Sequence, residues 1–202
     1  MGSGAVTQTS WILELRQRLS TPPPLSLATE GARQTTLVPL LVDGGELWLL
    51  LAGPTGEELV PAAATLPGEP LAPQEDPWPA AERCSLRLGL DPSTVLRIGM
   101  LDQLPSPAGD VIVPCVAAVP PPPEVESPSR DAPPVVRLPL VAARTPSLLE
   151  ERRAVVDAGP RRLAAGEPVE TWVTVAHFGP VKLAGAEVEI VELLLDRLFH
   201  GG

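Results

Sequence analysis

Aromatic residues are scarce in this sequence, which has two Phe, four Trp and no Tyr among its 202 residues. Aromatic side chains usually supply a large share of a buried core, so Leu, Val and Ala must fill most of this one. Hydrophobic residues still make up 44% of the chain and charged residues only 20%, which excludes global disorder. A chain of this length predicts one well-buried domain.

Basic residues are also few, because 15 Lys and Arg stand against 25 Asp and Glu and the formal net charge is −10. Binding to nucleic acid requires a concentrated basic surface, so this balance argues against a nucleic-acid partner. Arginines cluster at 152–153 and 161–162, but acidic residues surround them. They predict a solvated, salt-bridged face, with a local anion site as the alternative.

Cysteine and histidine are rare enough to restrict the chemistry. Cys84 and Cys115 lack the close spacing of metal ligands, and they predict buried thiols in a reducing cytoplasm. No N-terminal leader and no apolar run long enough for a membrane span is evident, so we expect no membrane partner. His177, in a predicted strand, and the C-terminal His200 are typical of packed or rim residues rather than of catalytic bases.

Hydrophobic periodicity predicts strands interleaved with a few helices, which indicates a layered α/β domain around a mixed sheet. Helices are predicted at 11–19, 80–88, 145–156 and 186–199. The helix at 145–156 is predicted from Thr145 as its N-cap and Pro146 as its first residue. Strands are predicted at 35–42, 47–52, 95–102, 111–119, 135–141 and 169–178. Residues 1–33 are predicted to form an N-terminal helix and linker, and 34–202 a single domain with a proline-rich surface loop at 120–134.

A succession of short motifs follows the predicted hairpin. Leu66-Pro67-Gly68 precedes Glu75-Asp76-Pro77-Trp78, and a helix then ends in Leu88-Gly89-Leu90-Asp91-Pro92. Leu104-Pro105-Ser106-Pro107-Ala108-Gly109 comes before the next strand. This order resembles the Nudix hydrolases, specifically their coenzyme A pyrophosphatase-like branch. The resemblance implies a Nudix-type α/β/α sandwich around a mixed sheet, with the helix near 80–88 on one side and the C-terminal helix on the other.

The defining box of that family is G-x5-E-x7-R-E-U-x-E-E-x-G-U, in which U is aliphatic and the glutamates hold Mg²⁺ or Mn²⁺. Counting back from Gly89-Leu90 places Gly68 at the first glycine, Gln74 at the early glutamate and Glu82-Arg83 at the Arg-Glu step. Anchoring on the Glu-Asp-Pro-Trp motif instead makes Glu75 the early glutamate. Both alignments put Leu86-Arg87 where the family has its metal-binding Glu-Glu pair.

This degenerate box implies a Nudix hydrolase-like protein that lacks the metal-dependent pyrophosphatase activity and needs no cofactor. It would act as a binding or structural domain for a nucleotide or coenzyme A-like molecule. Gly68, Arg83 and Arg87 are the candidate ligand-binding residues, since a guanidinium can pair with phosphate. The simpler interpretation is that the arginines pair with Glu75 and Glu82 or are solvated.

The alternative hypothesis is an active hydrolase of a nucleoside-diphosphate-linked, coenzyme A-like substrate. Its Mg²⁺ or Mn²⁺ would be held by Glu75 and Glu82, the candidate catalytic and metal residues. Further carboxylates would come from the loop acids Glu57, Glu58, Glu69 and Asp76. The branch's substrate motif has departed as well, because its Arg, His and Gly-Gln fall at Gly53, Val60 and Ala62-Ala63. A homodimer, and a partner for the 120–134 loop, are left open.

Overall fold

The computed structural model describes the chain in nine stretches: residues 3–20, 24–27, 32–54, 60, 62–72, 74–106, 110–121, 134–156 and 169–199. Several predictions concern residues outside these ranges: those for Glu57, Glu58, Arg161, Arg162, His200 and most of the loop at 120–134. None of the helices within the described ranges combines the length and the apolarity that crossing a bilayer requires.

A seven-stranded mixed sheet forms the centre of the domain. Its strands are β1 (Arg33–Asp43), β2 (Glu46–Ala52), β3 (Gly68–Leu71), β4 (Leu96–Met100), β5 (Leu104–Pro105), β6 (Val111–Ala118) and β7 (Val135–Pro139). The order across the sheet is β4-β6-β1-β2-β7, while β3 pairs with β1 and β5 pairs with β6. β1 and β6 run parallel and the other pairs antiparallel, so the predicted hairpin and mixed sheet are confirmed.

Helices cover both faces of this sheet. They are α1 (Ser3–Ser20), α2 (Pro77–Cys84, continued by a 3₁₀ turn at Ser85–Leu88), α3 (Leu140–Ala143) and α4 (Ala186–Phe199), and a second 3₁₀ turn lies at Pro92–Thr94. Alternation along β1 decides what each face buries. Leu37 and Leu41 belong to the cluster under α2, whereas Val38 and Leu40 belong to the cluster under α1 and α4. The helix near 80–88 and the C-terminal helix therefore lie on opposite sides of the sheet, as predicted.

A second, antiparallel sheet has the order β10-β9-β8, from β8 (Leu148–Val156), β9 (Val169–Phe178) and β10 (Val181–Ala184). The predicted helix at 145–156 is therefore wrong. Leu, Glu, Arg and Ala favour helices, but intrinsic propensity is a weak bias that tertiary pairing overrides. Here β8 pairs with β9 along its whole length, from Leu148 opposite His177 to Val156 opposite Val169.

The N-terminal helix packs on the edge of the central sheet. Leu15 and Leu19 are buried, and Arg16 donates to the carbonyl oxygen of Arg97 in β4 at 2.7 Å. Gly99 allows this approach, since a Cβ there would lie 3.1 Å from the Cβ of Leu19. α1 is thus held by apolar contacts and by a backbone-directed hydrogen bond.

Candidate functional site

The segment that corresponds to the metal-binding helix folds as a loop, a helix and a loop. Asp76 caps α2, because its Oδ1 accepts a hydrogen bond from the backbone N–H of Trp78 at 3.1 Å, and Pro77 occupies the first helical position. The following 3₁₀ turn ends at Gly89, whose φ of 70° lies in the left-handed region that glycine favours. Ala80, Ala81, Cys84 and Leu88 are buried against the sheet.

Glu75 is engaged by its own loop. Its Oε2 accepts from the backbone N–H of Ala72 at 2.8 Å, and its Oε1 lies 4.0 Å from Nη2 of Arg83. Arg83 also contacts Glu69, with 3.2 Å between Nη2 and Oε2. The candidate ligand-binding Arg83 therefore neutralises two acids that a metal site would need, which is the simpler interpretation of this arginine.

Glu82 is paired with the central sheet. Its Oε1 accepts from Nε of Arg97 in β4 at 2.7 Å, and this hydrogen bond holds the pKa of Arg97 above its ordinary value. The guanidinium of Arg97 in turn lies 5.5 Å from the ring centroid of Trp78. Glu82 is thus part of an arginine–aromatic arrangement at the side of α2, and it does not line the cleft described next.

A cleft of about 390 Å³ opens between the central sheet, Val60 with residues 63–66, and the start of α4. The cleft lies beside the 3₁₀ turn that follows α2, and among the sequence-predicted residues it brings together Gly68 and Arg87. Its polar lining groups come from Gln34, Thr36, Thr65, Arg87, Ser106 and Glu187, and its apolar ones include Val60, Leu66, Ile112 and Ile190. Arg83, Glu75 and Glu82 are absent from the described lining.

Glu187 is a cleft residue that sequence reasoning missed. It lies in the first turn of α4, two residues after Gly185, whose φ is 62°. Burial raises the pKa of Glu187 to about 7, although the backbone N–H groups of Glu187 and Leu66 oppose the rise by hydrogen bonding to the carboxylate. The only sequence signal is an acidic residue in a first helical turn, where the helix dipole already favours one for stability.

The residues at this helix do not fit the divalent cation that the sequence resemblance implies. Mg²⁺ prefers an octahedral set of oxygen ligands, yet Leu86 and Arg87 stand where the resemblance places the metal-binding pair. Glu75 and Glu82 accept from Ala72 and Arg97 respectively. Within the described ranges, no group of three or more His, Cys, Asp or Glu side chains could hold a metal ion.

Gly53, Val60 and Ala63, at which the sequence resemblance places parts of a substrate motif, offer backbone contacts or apolar groups. Gly53 donates its backbone N–H to the carbonyl oxygen of Pro134 at 2.6 Å, and a Cβ at Gly53 would lie 2.7 Å from that oxygen. Val60 and Ala63 line the cleft, and Glu69 lies in β3 beside Arg83. This side of the cleft therefore offers shape and apolar surface rather than charged recognition.

Comparison with solved structures identifies Nudix proteins. A MutT/nudix family protein from Enterococcus faecalis is similar over 99% of this chain and 76% of that chain, at a TM-score of 0.51 and 15% identity. An Ap4A hydrolase from C. elegans, solved as a binary complex, has a TM-score of 0.43 and 20% identity over 54% of this chain and 80% of that one. A mutT/nudix family protein from Listeria innocua has a TM-score of 0.42 and 20% identity over 57% of this chain and 82% of that one.

No protein-family model and no curated protein sequence matches the chain. The similarity to the Enterococcus faecalis protein extends over nearly the whole chain, and it shows that the fold is of the Nudix type. The predicted α/β/α sandwich around a mixed sheet is confirmed.

Proposed function

We propose that this chain is a Nudix-type binding domain that takes a diphosphate-containing ligand of the nucleotide or coenzyme A class without hydrolysing it. One observation carries the proposal: Arg87 lines the cleft, whereas Glu75 and Glu82 are held away from it. A guanidinium is permanently charged and presents its donors as a planar fork, so it can neutralise a diphosphate where related enzymes use a metal.

The remaining cleft groups support a ligand with one charged and one apolar part. Gln34, Thr36 and Ser106 supply amide and hydroxyl groups that can bond phosphate or ribose oxygens. Leu66 and Ile190 supply apolar surface for a base or an alkyl arm. The order of sequence motifs favours the coenzyme A side of this class, so coenzyme A and ADP-ribose are the appropriate probes.

The arginine pairs support the absence of hydrolysis. An active hydrolase would have to release Glu82 from its 2.7 Å contact with Arg97 and turn Glu75 from its 2.8 Å contact with the backbone of Ala72. It would also have to hold Mg²⁺ near the fixed positive charge of Arg87. Each of these steps costs free energy, whereas the carboxylates of an intact box need not break such contacts to bind a metal.

Calorimetric titration of coenzyme A and of ADP-ribose, each with and without Mg²⁺, tests the proposal. We expect binding that does not require Mg²⁺ and a loss of roughly tenfold to a hundredfold in affinity for Arg87→Ala, as for one charge-assisted contact. Arg83→Ala is the matched control, since Arg83 is an exposed arginine of the same segment that pairs with Glu69. That variant should bind as the unchanged protein does.

Two results would contradict the proposal in different ways. Equal affinities for the Arg87→Ala variant and the unchanged protein would remove Arg87 from the site. Mg²⁺-dependent release of phosphate-containing products, abolished by Glu82→Gln, would instead favour the hydrolase with non-standard carboxylates. In the binding domain, Glu82→Gln should leave ligand affinity unchanged, because Glu82 does not line the described cleft.

A further inference from the structure

β8 lies at the edge of the three-stranded sheet, and within the described ranges β9 is the only strand that pairs with it. In an antiparallel ladder, the backbone N–H and C=O groups of alternate residues of an edge strand point away from the sheet. β8 has nine residues, which at the usual rise is a strand of about 30 Å. It therefore presents a long row of backbone groups that another strand can bind.

The sequence of β8 is complementary to its own reverse. It reads Leu148-Leu149, Glu150-Glu151, Arg152-Arg153 and Ala154-Val155-Val156, which is apolar, acidic, basic and apolar in turn. A second copy that runs antiparallel to the first, with Arg152 opposite Arg152, would meet Glu151 with Arg153 and the apolar N-terminal end of the strand with its apolar C-terminal end, while Glu150 would face Ala154. Cross-strand pairs of both kinds stabilise a sheet, whereas like charges directly opposite each other destabilise it.

Side-chain alternation limits the registers that a symmetric pair can adopt. Residues directly opposite each other share one face of an antiparallel sheet, so the two-fold axis must pass through a residue and not between two. An axis at Glu151 would place Glu150 opposite Arg152 twice, but it would place Glu151 opposite itself and Leu149 opposite Arg153. An axis at Arg152 also makes two attractive pairs, Glu151 with Arg153, and it places Leu148 and Leu149 opposite Val156 and Val155, so the apolar pairing favours this second register.

Side-chain contacts within one copy also favour the pairing with its two-fold axis at Arg152. Arg152 would face its own copy, but each Arg152 is neutralised by Glu150, with 2.9 Å between Nη2 and Oε1. The guanidinium of Arg153 lies 5.1 Å from the ring centroid of Trp172, which limits the freedom it would lose on pairing with Glu151 of the other copy. Leu149 and Trp172 are 57% and 60% exposed, so both side chains offer apolar surface to a second copy.

We propose that the occupant of this edge is a second copy of the chain, paired through β8 about a two-fold axis at Arg152. The two three-stranded sheets would then form one continuous antiparallel sheet of six strands. This inference is independent of the proposed ligand, because no residue of β8 lines the cleft as described.

Charge reversal tests the register. Two-fold symmetry means that Glu151→Arg, or Arg153→Glu, converts two attractive pairs into two repulsive ones. Sedimentation at low ionic strength, where such pairs are least screened, should show a concentration-dependent dimer whose dissociation constant rises by roughly tenfold or more in each single variant. The double variant, Glu151→Arg with Arg153→Glu, should recover the original dimer because the pairs are restored with exchanged signs.

Glu192→Arg, on the exposed face of α4, is the control for net charge and should dimerise like the unchanged protein. A far-ultraviolet circular dichroism spectrum verifies that each variant is folded. A monomer throughout the micromolar to low-millimolar range would overturn the proposal, because the edge would then be covered by another part of the same chain or left bare. A dimer that ignores both single reversals, or one that the double variant fails to restore, would place the interface elsewhere and overturn it equally.

Discussion

Replacing Glu187 by Gln removes a charge that the fold buries at a cost. The carboxylate lies in the cleft at the start of α4, where the N–H groups of Leu66 and Glu187 only partly replace its lost hydration. Burial raises its pKa from an ordinary value of 4.5 to about 7. Gln has nearly the same shape and keeps an oxygen that can accept from the same N–H groups, so the substitution chiefly tests the charge.

The sign of the effect follows from proton binding. Between pH 4.5 and about 7 the folded protein keeps a proton on Glu187 that the unfolded chain has lost, so stability falls as the pH rises through this window. Below the window the group costs nothing, and above it the cost is complete. The gap between the two pKa values corresponds to at most about 3 kcal/mol. Because the residue as a whole is only partly buried, we expect about 1–2 kcal/mol.

Urea unfolding of the unchanged protein and of Glu187→Gln, at about pH 5 and about pH 8, measures this cost. The variant should be the more stable protein at the higher pH, by about 1–2 kcal/mol, and should lose most of that advantage at the lower pH. Glu192→Gln, at an exposed position of the same helix, should show no such pH-dependent gain. A gain that is equal at both pH values, or a loss at the higher pH, would refute the argument that a buried charge is present.

Three further predictions concern buried groups of the scaffold. Asp102→Asn should lower the free energy of unfolding by about 2–3 kcal/mol in urea titrations, because Asp102 is the mostly buried partner of Arg197 at 2.9 Å and also accepts from the backbone N–H of Leu25. Gly68→Ala should cost about 1–3 kcal/mol in the same assay, since its Cβ would lie 2.9 Å from the backbone oxygen of Thr35, which cannot turn aside. Burial raises the pKa of Cys84 to about 12 and that of Cys115 to about 11. Neither buried thiol should therefore react with a thiol reagent at neutral pH until the protein is denatured. Rapid labelling of the native protein would contradict this.

Periodicity and turn chemistry predicted those elements whose core-facing residues form a recognisable pattern within one short stretch of sequence. The hairpin of β1 and β2, the buried β6 and the apolar stripe of α4 all belong to this class. β8 was mispredicted because its pairing with β9 depends on residues some twenty positions away, which no local window includes. The short strands β3 and β10 were missed for a related reason: four residues are too few to show a period.

The candidate site was predictable only where a motif gave the spacing. Gly68 and Arg87 are separated by 19 positions and line one cleft. Gly68 begins β3, which pairs with β1, and Arg87 lies in the 3₁₀ turn that ends the same loop–helix segment. Arg83 belongs to the same motif, but its helical position turns it toward Glu69. Glu187 lies more than a hundred positions further along the chain than Arg83. Its role as a cleft residue depends on the packing of residues 63–66 beside the start of α4, for which the sequence carries no local signal.

The arginine pairs explain how this fold can be stable without a bound cation. A cluster of carboxylates repels itself when no cation is bound, so an intact metal site destabilises the empty protein. In this chain Arg83 pairs with Glu69 and Arg97 pairs with Glu82, and the apolar face of α2 is packed on β1 and β6. The helix is therefore held by contacts that do not depend on metal, and the positive charge at its end is fixed by Arg87. A cleft that needs no cation to be stable can still select an anion, which is the property that the proposed binding domain requires.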